Sequence, residues 1–493
     1  MDYKQFEKLA ADYNFVPVYE IISADMLTPV LAYLKLRMHN STSFLLESVE
    51  GIGRLARYSF IGLDPSEVIS NVHMELTVKT RERTEKQNCN LFDYLKSKVA
   101  GFHYPHIEEL PYFTGGIVGY IGFENISLIE DVIEYDPNSN SIAPDSILGF
   151  YKTIIVFDHF KHQIIIIVNT DVTDKSNIGT KYDDAVKKLK KLKSFLTNRI
   201  DYKSNFKFTP YEQVNGEDKT FGSLIEKGKK NIYQGDVFQI VLSRRFQADY
   251  EGDTFNVYRS LRMINPSPYM YYMEFENDFQ IIGTSPEDLL KVKDRKAEIL
   301  PIAGTRRRGK DKEEDLKLEI ELMNDPKEIA EHTMLVDLAR NDLGRVCKYG
   351  TVKISENMKI NRFSHVMHIV SRVEGLLRDD TDCIDAFKAS FPAGTVTGAP
   401  KIRAIQLVNE YENLKRNVYA GAAGYIDFSG NLDMCIAIRT LFANKNKIFW
   451  QAGAGIVADS IIELELKEIK NKSAVLLNAL KMAEIIDENS DNR

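Results

Sequence analysis

Two predicted helices each carry a pair of glutamates one turn apart. Glu328 and Glu331 form one pair, and Glu465 and Glu468 form the other, with Lys472 four residues beyond Glu468. Residues three apart are neighbours on one helix face, so each pair presents two carboxylates together. If the helices converge, the four carboxylates form an oxygen-rich site that suits Mg²⁺, which takes one or two carboxylates with water and an anionic substrate. Taken alone, each pair is more often an ordinary structural feature of a helix than part of a site.

Three glycine-rich segments are the second chemical signal. Such turns bring backbone N–H groups close to an anion, and cationic side chains can lie beside them. With Arg439 and Lys472 they indicate a site for a small polyanion, although each turn alone is more often structural. The chain has no Walker motif and no G-x-G-x-x-G, which argues against nucleotide binding. The segments are PIAGTRRRG (301–309), FPAGTVTGAPK (391–401) and QAGAG (451–455).

Among nine histidines, His368 lies in the alternating apolar segment SHVMHIVS (364–371). A hydrogen-bonded core imidazole is the ordinary interpretation of such a position. A general acid or base is the alternative, because histidine titrates near neutral pH. The residues around it leave both open.

The elements that must position these residues alternate without a regular βαβ repeat. The strongest helix, 326–343, has Asp325 as a natural N-cap, Pro326 at N1 and Glu328 at N3. Ser460 and Glu463 repeat this signature before the last helix, 461–486. We therefore expect an α+β fold of layers rather than a Rossmann sheet. Other helices are predicted at 28–38, 181–196 and 221–235. Strands are predicted at 16–23, 43–51, 57–62, 151–160, 163–170, 237–246, 419–428, 432–443 and 447–457, with a short turn between 151–160 and 163–170.

Composition narrows the class of protein. The 493 residues carry 64 Lys and Arg against 71 Asp and Glu, a net charge of −7, which argues against a nucleic-acid-binding protein. The longest apolar run, 164–168, is far shorter than the roughly 20 residues of a membrane helix. Four separated cysteines fit no zinc spacing and are typical of reduced thiols. We expect a soluble cytoplasmic protein with domains at 1–205 and 206–493, joined by the polar linker 201–220.

Several long motifs in order resemble the chorismate-utilising enzymes, over roughly residues 215–480. They are DPKEIAEHTMLVDLARNDLGRV (325–346), FSHVMHIVSRVEG (363–375), GTVTGAPK (394–401) and a C-terminal GAG followed by E-x-x-x-K. This resemblance implies a large α+β sandwich of antiparallel sheets flanked by helices. LLES (45–48), RYSFIG (57–62) and NPSPYM (265–270) are similar to the tryptophan-binding elements of anthranilate synthase large subunits.

Two positions separate the members of this family by chemistry. Isochorismate and salicylate synthases carry a lysine base for water where this chain has Gln239, and a neutral amide cannot deprotonate water. Aminodeoxychorismate synthases often carry a nucleophilic lysine where this chain has Ala303. The remaining reaction is amination of chorismate by ammonia to 2-amino-2-deoxyisochorismate, followed by loss of pyruvate to give anthranilate.

The resemblance also implies a role for each motif residue. Glu331 and Glu468 would hold Mg²⁺, with Glu328 and Glu465 as supporting carboxylates or further ligands. Glu287 would protonate the departing C4 hydroxyl, and His368 would assist pyruvate elimination. The remaining residues would contact or orient chorismate, and they are Thr395, Gly304, Thr305, Tyr419, Arg439, Gly453, Ala454, Gly455 and Lys472.

Partners follow from the same resemblance. Ammonia would come from a separate glutamine amidotransferase subunit, in a heterotetramer, since no amidotransferase segment is recognisable here. L-Tryptophan would inhibit by binding Ser48 and the segment Pro268, Tyr269 and Met270, away from the catalytic site.

Two other interpretations stay open at this stage. The chain could be the large subunit of aminodeoxychorismate synthase in the folate branch, against which Ala303 is the main argument. It could also be an inactive chorismate- or tryptophan-binding partner. That alternative predicts loss of Glu331, Glu468 or His368, and all three residues are present.

Overall fold

The computed structural model describes residues 1–39, 42–50, 54–55, 57–137, 141–200, 202, 204–362 and 366–487. Among these residues the chain forms eleven α-helices, two short 3₁₀ helices and 27 strands. Residues 363–365, at the start of the motif 363–375, and residues 51–53 and 56 lie outside this part. No helix in it is long and apolar enough to cross a membrane.

The helices differ in length from 8 to 24 residues. Their bounds are α1 Tyr3–Asp12, α2 Pro29–Arg37, α3 Leu91–Ala100, α4 Ile178–Thr197, α5 Asp218–Tyr233, α6 Phe255–Ile264, α7 Lys312–Met323, α8 Pro326–Gly344, α9 Cys383–Ser390, α10 Lys401–Glu412 and α11 Ile462–Ile485.

The strands are antiparallel to their neighbours throughout. Their bounds are β1 Phe15–Ser23, β2 Ser43–Glu47, β3 Val49–Glu50, β4 Arg54–Leu55, β5 Tyr58–Leu63, β6 Glu67–Val72, β7 Glu75–Lys79, β8 Thr84–Asn88, β9 Gly116–Ile121, β10 Ser146–Tyr151, β11 Thr153–Asp158, β12 Gln163–Asp171, β13 Phe206–Phe208, β14 Glu212–Gln213, β15 Gln239–Gly252, β16 Tyr269–Phe275, β17 Phe279–Ser285, β18 Asp288–Lys293, β19 Lys296–Ile299, β20 Ile302–Arg307, β21 Lys353–Arg362, β22 Val366–Leu376, β23 Gly398–Ala399, β24 Ala422–Asp427, β25 Leu432–Ile436, β26 Thr440–Asn444 and β27 Lys447–Ile456.

Two large sheets pack face to face. The first has the order β1-β12-β11-β5-β2-β16-β17-β26-β27-β15-β13, with β14 and β23 also on β15. The second has the order β20-β22-β19-β18-β25-β24-β9-β10-β6-β7-β8, with β21 on β22. Helices α4, α10 and α11 pack on the first sheet, and α8 and α9 pack on the second. The predicted α+β sandwich of antiparallel sheets flanked by helices is therefore confirmed.

The two faces of the first sheet border two different hydrophobic cores. In β11, Ile154 and Val156 enter the core between the sheets, while Ile155 and Phe157 enter the core under the helices. Successive side chains of a strand point to opposite faces, so a strand buried on both faces is apolar throughout. The unbroken apolar run 164–168 in β12 has the same cause.

Both sheets contain strands from both sides of the predicted boundary near residue 205. In the first sheet β2 pairs with β16, and in the second β9 pairs with β24. The two predicted domains, 1–205 and 206–493, therefore share both sheets, and the division between them stays a prediction. The predicted linker 201–220 contains β13, β14 and the start of α5.

Two local expectations are wrong. Ser460 does not cap the last helix: its hydroxyl accepts a hydrogen bond from the Val457 N–H, and Ile461 is the N-cap residue. The predicted strand 432–443 is two strands, β25 in the second sheet and β26 in the first. Arg439 lies between them with φ +48°, so the chain crosses from one sheet to the other at this residue.

Candidate active site

The predicted carboxylates of α8 and α11 come together. The pKa of Glu331 is raised by burial, by Glu328 on its own helix and by Glu468 on α11. The pKa of Glu465 is also raised, by burial and by Glu468, and Lys327 of α8 acts on it in the opposite direction. Such mutual effects require short separations, because charges interact weakly across water. The first turns of the two helices therefore face each other.

Basic residues compensate only part of this negative charge. Lys472 Nζ lies 2.7 Å from Glu468 Oε1 and donates to the Gly453 carbonyl at 2.9 Å. Arg306 Nη1 donates to Glu328 Oε1 at 3.1 Å. Arg306 also pairs with Asp325, the residue that caps α8 through the N–H groups of the first turn. Glu331 has no such cationic partner among the ion pairs of the described residues, and its carboxylate faces other carboxylates.

This donor set fits Mg²⁺. Glu331 and Glu468 supply the one or two carboxylates that Mg²⁺ takes in substrate complexes, where water and the substrate complete its shell. The pKa of Glu331, raised by its like-charged neighbours, shows negative charge that a divalent cation would offset. Within the described part of the chain, no group of three or more His, Cys, Asp or Glu residues is arranged to hold a metal without substrate.

Gln239, at the start of β15, joins the carboxylates to the glycine-rich strand β27. Its side-chain amide hydrogen-bonds Glu331. A Cβ added at Gly455 would lie 2.6 Å from Gln239 Nε2, and one at Gly453 would lie 2.6 Å from the Tyr419 hydroxyl. A side chain at either position would clash, because real Cβ atoms essentially never come so close to another heavy atom, and this explains why both residues are glycine. The segment Gly453, Ala454 and Gly455 pairs with β15 and extends past the last residue paired with β26.

Glu287 lies between β17 and β18, and its carboxyl is buried. Burial raises the pKa of Glu287 to about 7, while the Thr395 hydroxyl, Lys472 and Arg439 act in the opposite direction. Glu287 and Thr395 together line a small cavity of about 40 Å³. A carboxyl in this state holds its proton near neutral pH and can act as an acid.

His368 faces the site from β22. Its Nδ1 lies 3.1 Å from the Gly304 carbonyl oxygen and 3.1 Å from Thr305 Oγ1. Since a carbonyl only accepts, Nδ1 carries the proton and Nε2 is the basic nitrogen. Burial and the charge of Arg439 lower the pKa of His368, so the ring is neutral at pH 7. Gly304 reaches this position with φ +71°, at a bulge between β20 and β22.

Arg439 and Tyr419 complete the wall. Arg439 Nη1 donates to Asn265 Oδ1 at 3.2 Å, and burial lowers the pKa of its guanidinium. Tyr419 is buried, with its ring 5.6 Å from the guanidinium carbon of Arg416. Arg416 is held by a buried ion pair with Glu412 at 2.6 Å. This pair fixes Tyr419 from behind, because a buried pair with satisfied hydrogen bonds has little freedom to move.

The residues predicted to bind tryptophan lie elsewhere. Ser48, Pro268, Tyr269 and Met270 line a cavity of about 1380 Å³ that strands of both sheets border. Pairing of β2 with β16 brings them together, since Met270 lies opposite Glu47 in the ladder. None of the predicted catalytic or chorismate-binding residues lines this cavity.

Sequence reasoning missed three contacts that hold the site. They are the Arg306 pair with Glu328, the Gln239 bond to Glu331 and the Asn265 bond to Arg439. Arg306 and Asn265 lie in motifs that the sequence had singled out, PIAGTRRRG and NPSPYM. The sequence shows the charge of Arg306 and the amide of Asn265. Their partners are distant in sequence, so only the fold shows which residues they contact.

Known proteins resemble this chain over most of its length. The family described as chorismate binding enzyme matches residues 44–478. Anthranilate synthase component 1 of Acinetobacter calcoaceticus is 42% identical over 492 residues, covering 97% of this chain and 98% of the relative. The protein of the same name from Acetivibrio thermocellus is 43% identical over 486 residues, covering 96% and 97%.

A solved structure agrees with these sequence relatives. Anthranilate synthase component I from Streptococcus pneumoniae superposes with a TM-score of 0.74 at 35% identity. The match covers 92% of this chain and 98% of that one. Sequence and fold therefore identify the same group of proteins.

Proposed function

We propose that this chain, which belongs to the chorismate binding enzyme family, converts chorismate and ammonia to anthranilate and pyruvate. The observation that carries this choice is Gln239, whose neutral amide lies against Glu331. A side chain at this position that cannot take a proton leaves water unactivated, so the nucleophile must be one that attacks without a base, as ammonia does. The relatives named anthranilate synthase component 1 support the same reaction.

Glu331 and Glu468 would hold Mg²⁺, with Glu328 and Glu465 beside them. When bound, Mg²⁺ neutralises the ring carboxylate of chorismate and the charge that develops as electrons shift. Lys472 orients Glu468 through their ion pair and fixes it against the Gly453 carbonyl. Arg306 holds Glu328 in place through their hydrogen bond, so the first turn of α8 is ordered before substrate arrives.

Glu287 would give its proton to the departing C4 hydroxyl, which leaves as water while ammonia adds at C2. Its raised pKa keeps the proton available near neutral pH. Thr395 lies beside the carboxyl and favours its ionised form, and Lys472 and Arg439 stabilise the carboxylate that remains. General acids of this kind contribute typically 10²–10⁴-fold in rate.

His368 would take the C2 proton of 2-amino-2-deoxyisochorismate through Nε2. The enolpyruvyl group then leaves as pyruvate and the ring becomes aromatic. The Gly304 carbonyl holds Nδ1–H, so the basic nitrogen is the one on the opposite side of the ring. Thr305 beside it stabilises the same ring orientation.

The remaining side chains would bind the substrate's oxygens. Arg439 suits a carboxylate because its planar guanidinium can donate two parallel hydrogen bonds. Tyr419 offers a hydroxyl at Gly453. The strand segment from Gly453 to Gly455 offers backbone N–H groups where no side chain obstructs approach.

The ammonia for the reaction would come from a partner subunit. Near neutral pH ammonia is mostly protonated, so a glutamine amidotransferase partner would supply it directly, in a heterotetramer. The name component 1 of the relatives supports a partner component.

Tryptophan would bind in the 1380 Å³ cavity at Ser48 and the segment 268–270. None of the proposed catalytic residues lines this cavity, so tryptophan would inhibit allosterically, by binding one conformation more tightly than the other.

The test is to incubate the purified chain with chorismate, Mg²⁺ and ammonium salt at mildly alkaline pH and to separate the products by chromatography. We expect anthranilate and pyruvate in equal amounts, decreasing when tryptophan is added. A 4-amino product that keeps the enolpyruvyl group would instead assign the chain to the folate branch. No product at all would favour the inactive binding partner.

A further inference from the structure

The cavity bordered by the two sheets and the small cavity at Glu287 share a wall. Asp288 and Leu300 line both of them. Glu287 and Asp288 are consecutive, and β18 begins at Asp288. Successive residues of an extended chain direct their side chains to opposite sides, and of these two residues only Asp288 lines the large cavity.

Asp288 has an unused hydrogen-bonding atom. Its side chain is 7% exposed, and the Leu300 N–H donates to the carboxylate. Its Oδ1 is buried and has no hydrogen-bond partner. A buried carboxylate oxygen without a donor is costly, and natural proteins keep such a group where a ligand supplies the missing partner.

The other carboxylates of the large cavity differ from Asp288 in this respect. Glu47 accepts from Tyr258 at 2.6 Å and from Arg262 at 2.9 Å. Asp433 pairs with Lys291 at 3.0 Å and accepts from the Tyr269 hydroxyl.

Glu298 pairs with Arg372, and Glu109 accepts from the Tyr19 hydroxyl. Glu108 and Asp294 are exposed to solvent. Among the described residues that line the cavity, Asp288 is thus the buried carboxylate that still needs a donor.

The surroundings indicate what kind of donor fits. Burial raises the pKa of Asp288, and so do the negative charges of Asp433, Glu287 and Glu298 nearby. A cationic donor would offset this cluster of negative charge and stabilise the ionised carboxyl, which a neutral donor would not. Tyr58, Tyr112, Tyr269 and Tyr425 also line the cavity and supply aromatic faces for an apolar ring. A ligand that carries an ammonium and an aromatic side chain matches both features.

We propose that Asp288 binds the α-ammonium of an aromatic amino acid held in the large cavity. This inference rests on the proposed function for the identity of that amino acid, tryptophan. The ammonium would lie one residue from Glu287, so the short segment 287–288 contacts the inhibitor on one side and the reaction on the other. Ile436 donates its N–H to the Glu287 carbonyl, which ties this segment to β25 as well.

The test compares two ligands and three proteins by calorimetry, without chorismate. The ligands are L-tryptophan and indole-3-propionate, which keeps the indole and carboxylate but lacks the ammonium. The proteins are the wild type, Asp288→Asn and Glu298→Gln. Asn keeps the size of Asp288 and can still accept from Leu300. Glu298→Gln is the matched control, because it removes the same charge from the same cavity at a carboxylate already paired with Arg372.

The wild type should bind tryptophan about 10- to 100-fold more tightly than indole-3-propionate, as a charge-assisted hydrogen bond implies. In Asp288→Asn this preference should disappear, with the affinity for indole-3-propionate unchanged. Glu298→Gln should keep the preference. Asp288→Ser gives the same comparison if the Asn variant does not fold.

If Asp288→Asn still prefers tryptophan over indole-3-propionate, the inference is overturned. It is also overturned if Glu298→Gln loses that preference together with Asp288→Asn, because the preference would then depend on the overall charge of the cavity. Failure of the wild type to bind tryptophan overturns both this inference and the proposed regulation. Anthranilate formation by the same protein sample would show that the proposed catalytic function nevertheless stands.

Discussion

The site around Glu331 and the cavity around Ser48 use charge in opposite ways. At the catalytic site, carboxylates from two helices face one another, and Glu331 and Glu287 both have raised pKa values. In the large cavity, most buried carboxylates are already paired with a cation or hydroxyl. The carboxylates of the first region need a cation and a substrate to offset their charge. Those of the second region already have partners, except for one buried oxygen of Asp288 that lacks a donor.

The two regions also differ in what holds them. The proposed catalytic residues come from α8, α11, β22 and β27 and from the segments that hold Glu287 and Thr395, all from the second part of the chain. The large cavity takes its walls from both parts, because β2 pairs with β16 and β9 with β24. A ligand in the cavity therefore contacts both parts of the chain together, which is what a regulatory site requires. Substitutions should separate the regions cleanly.

The largest effect is expected at the metal ligands. Glu468→Gln should lower kcat about 1000-fold, since Mg²⁺ supplies several kcal/mol of charge stabilisation and each 1.36 kcal/mol is tenfold in rate. Turnover at increasing Mg²⁺ concentration measures this. Glu463→Gln, an exposed residue on the same helix, is the control. Wild-type turnover in Glu468→Gln would show that the carboxylates of the two helices are structural only.

The next effect concerns the acid. Glu287→Gln should lower kcat by about 10²–10³-fold through loss of a general acid. The pKa of Glu287 is raised to about 7, so the protonated form predominates below that pH and decreases tenfold per unit above it. At constant free ammonia, the wild-type rate should fall on this alkaline limb. If the limb persists in Glu287→Gln, another group is the acid.

Removal of the base should change the product as well as the rate. His368→Ala should slow anthranilate formation about 100-fold and let 2-amino-2-deoxyisochorismate accumulate, because proton removal at C2 loses its base. Chromatography of the reaction mixture distinguishes the two compounds. Thr305→Ala, which removes a contact to the same ring and a predicted chorismate contact, should slow the reaction without changing the product ratio. An unchanged product ratio in His368→Ala would contradict the elimination role.

The smallest effect belongs to the other region. Ser48→Ala should raise the tryptophan concentration for half-inhibition by about 5- to 10-fold, the value of one neutral hydrogen bond. Inhibition curves at fixed chorismate measure it. Ser429→Ala, at another serine that lines the same cavity, should leave the inhibition curve unchanged. Equal inhibition of Ser48→Ala and wild type would move the regulatory site away from this cavity.

Much of the local structure was predictable because its causes are local. Thr28 caps α2, Asp325 caps α8, and the apolar patterns of β1, β11 and β12 give strands where expected. Ser460 failed as a cap because its hydroxyl has a nearer donor in the Val457 N–H. The strand 432–443 failed because the bend at Arg439 depends on which sheet each half joins.

The sequence by itself determined the family, the two glutamate pairs and the absence of a lysine at Gln239 and Ala303. These follow from residue types and short spacings, which the chain carries in any conformation. Only the tertiary structure decided that α8 and α11 face each other and that Glu287 is buried. It also decided that Asp288 lies on the wall between two cavities. Convergence and burial depend on contacts between residues far apart in sequence, and these exist only once both sheets have formed.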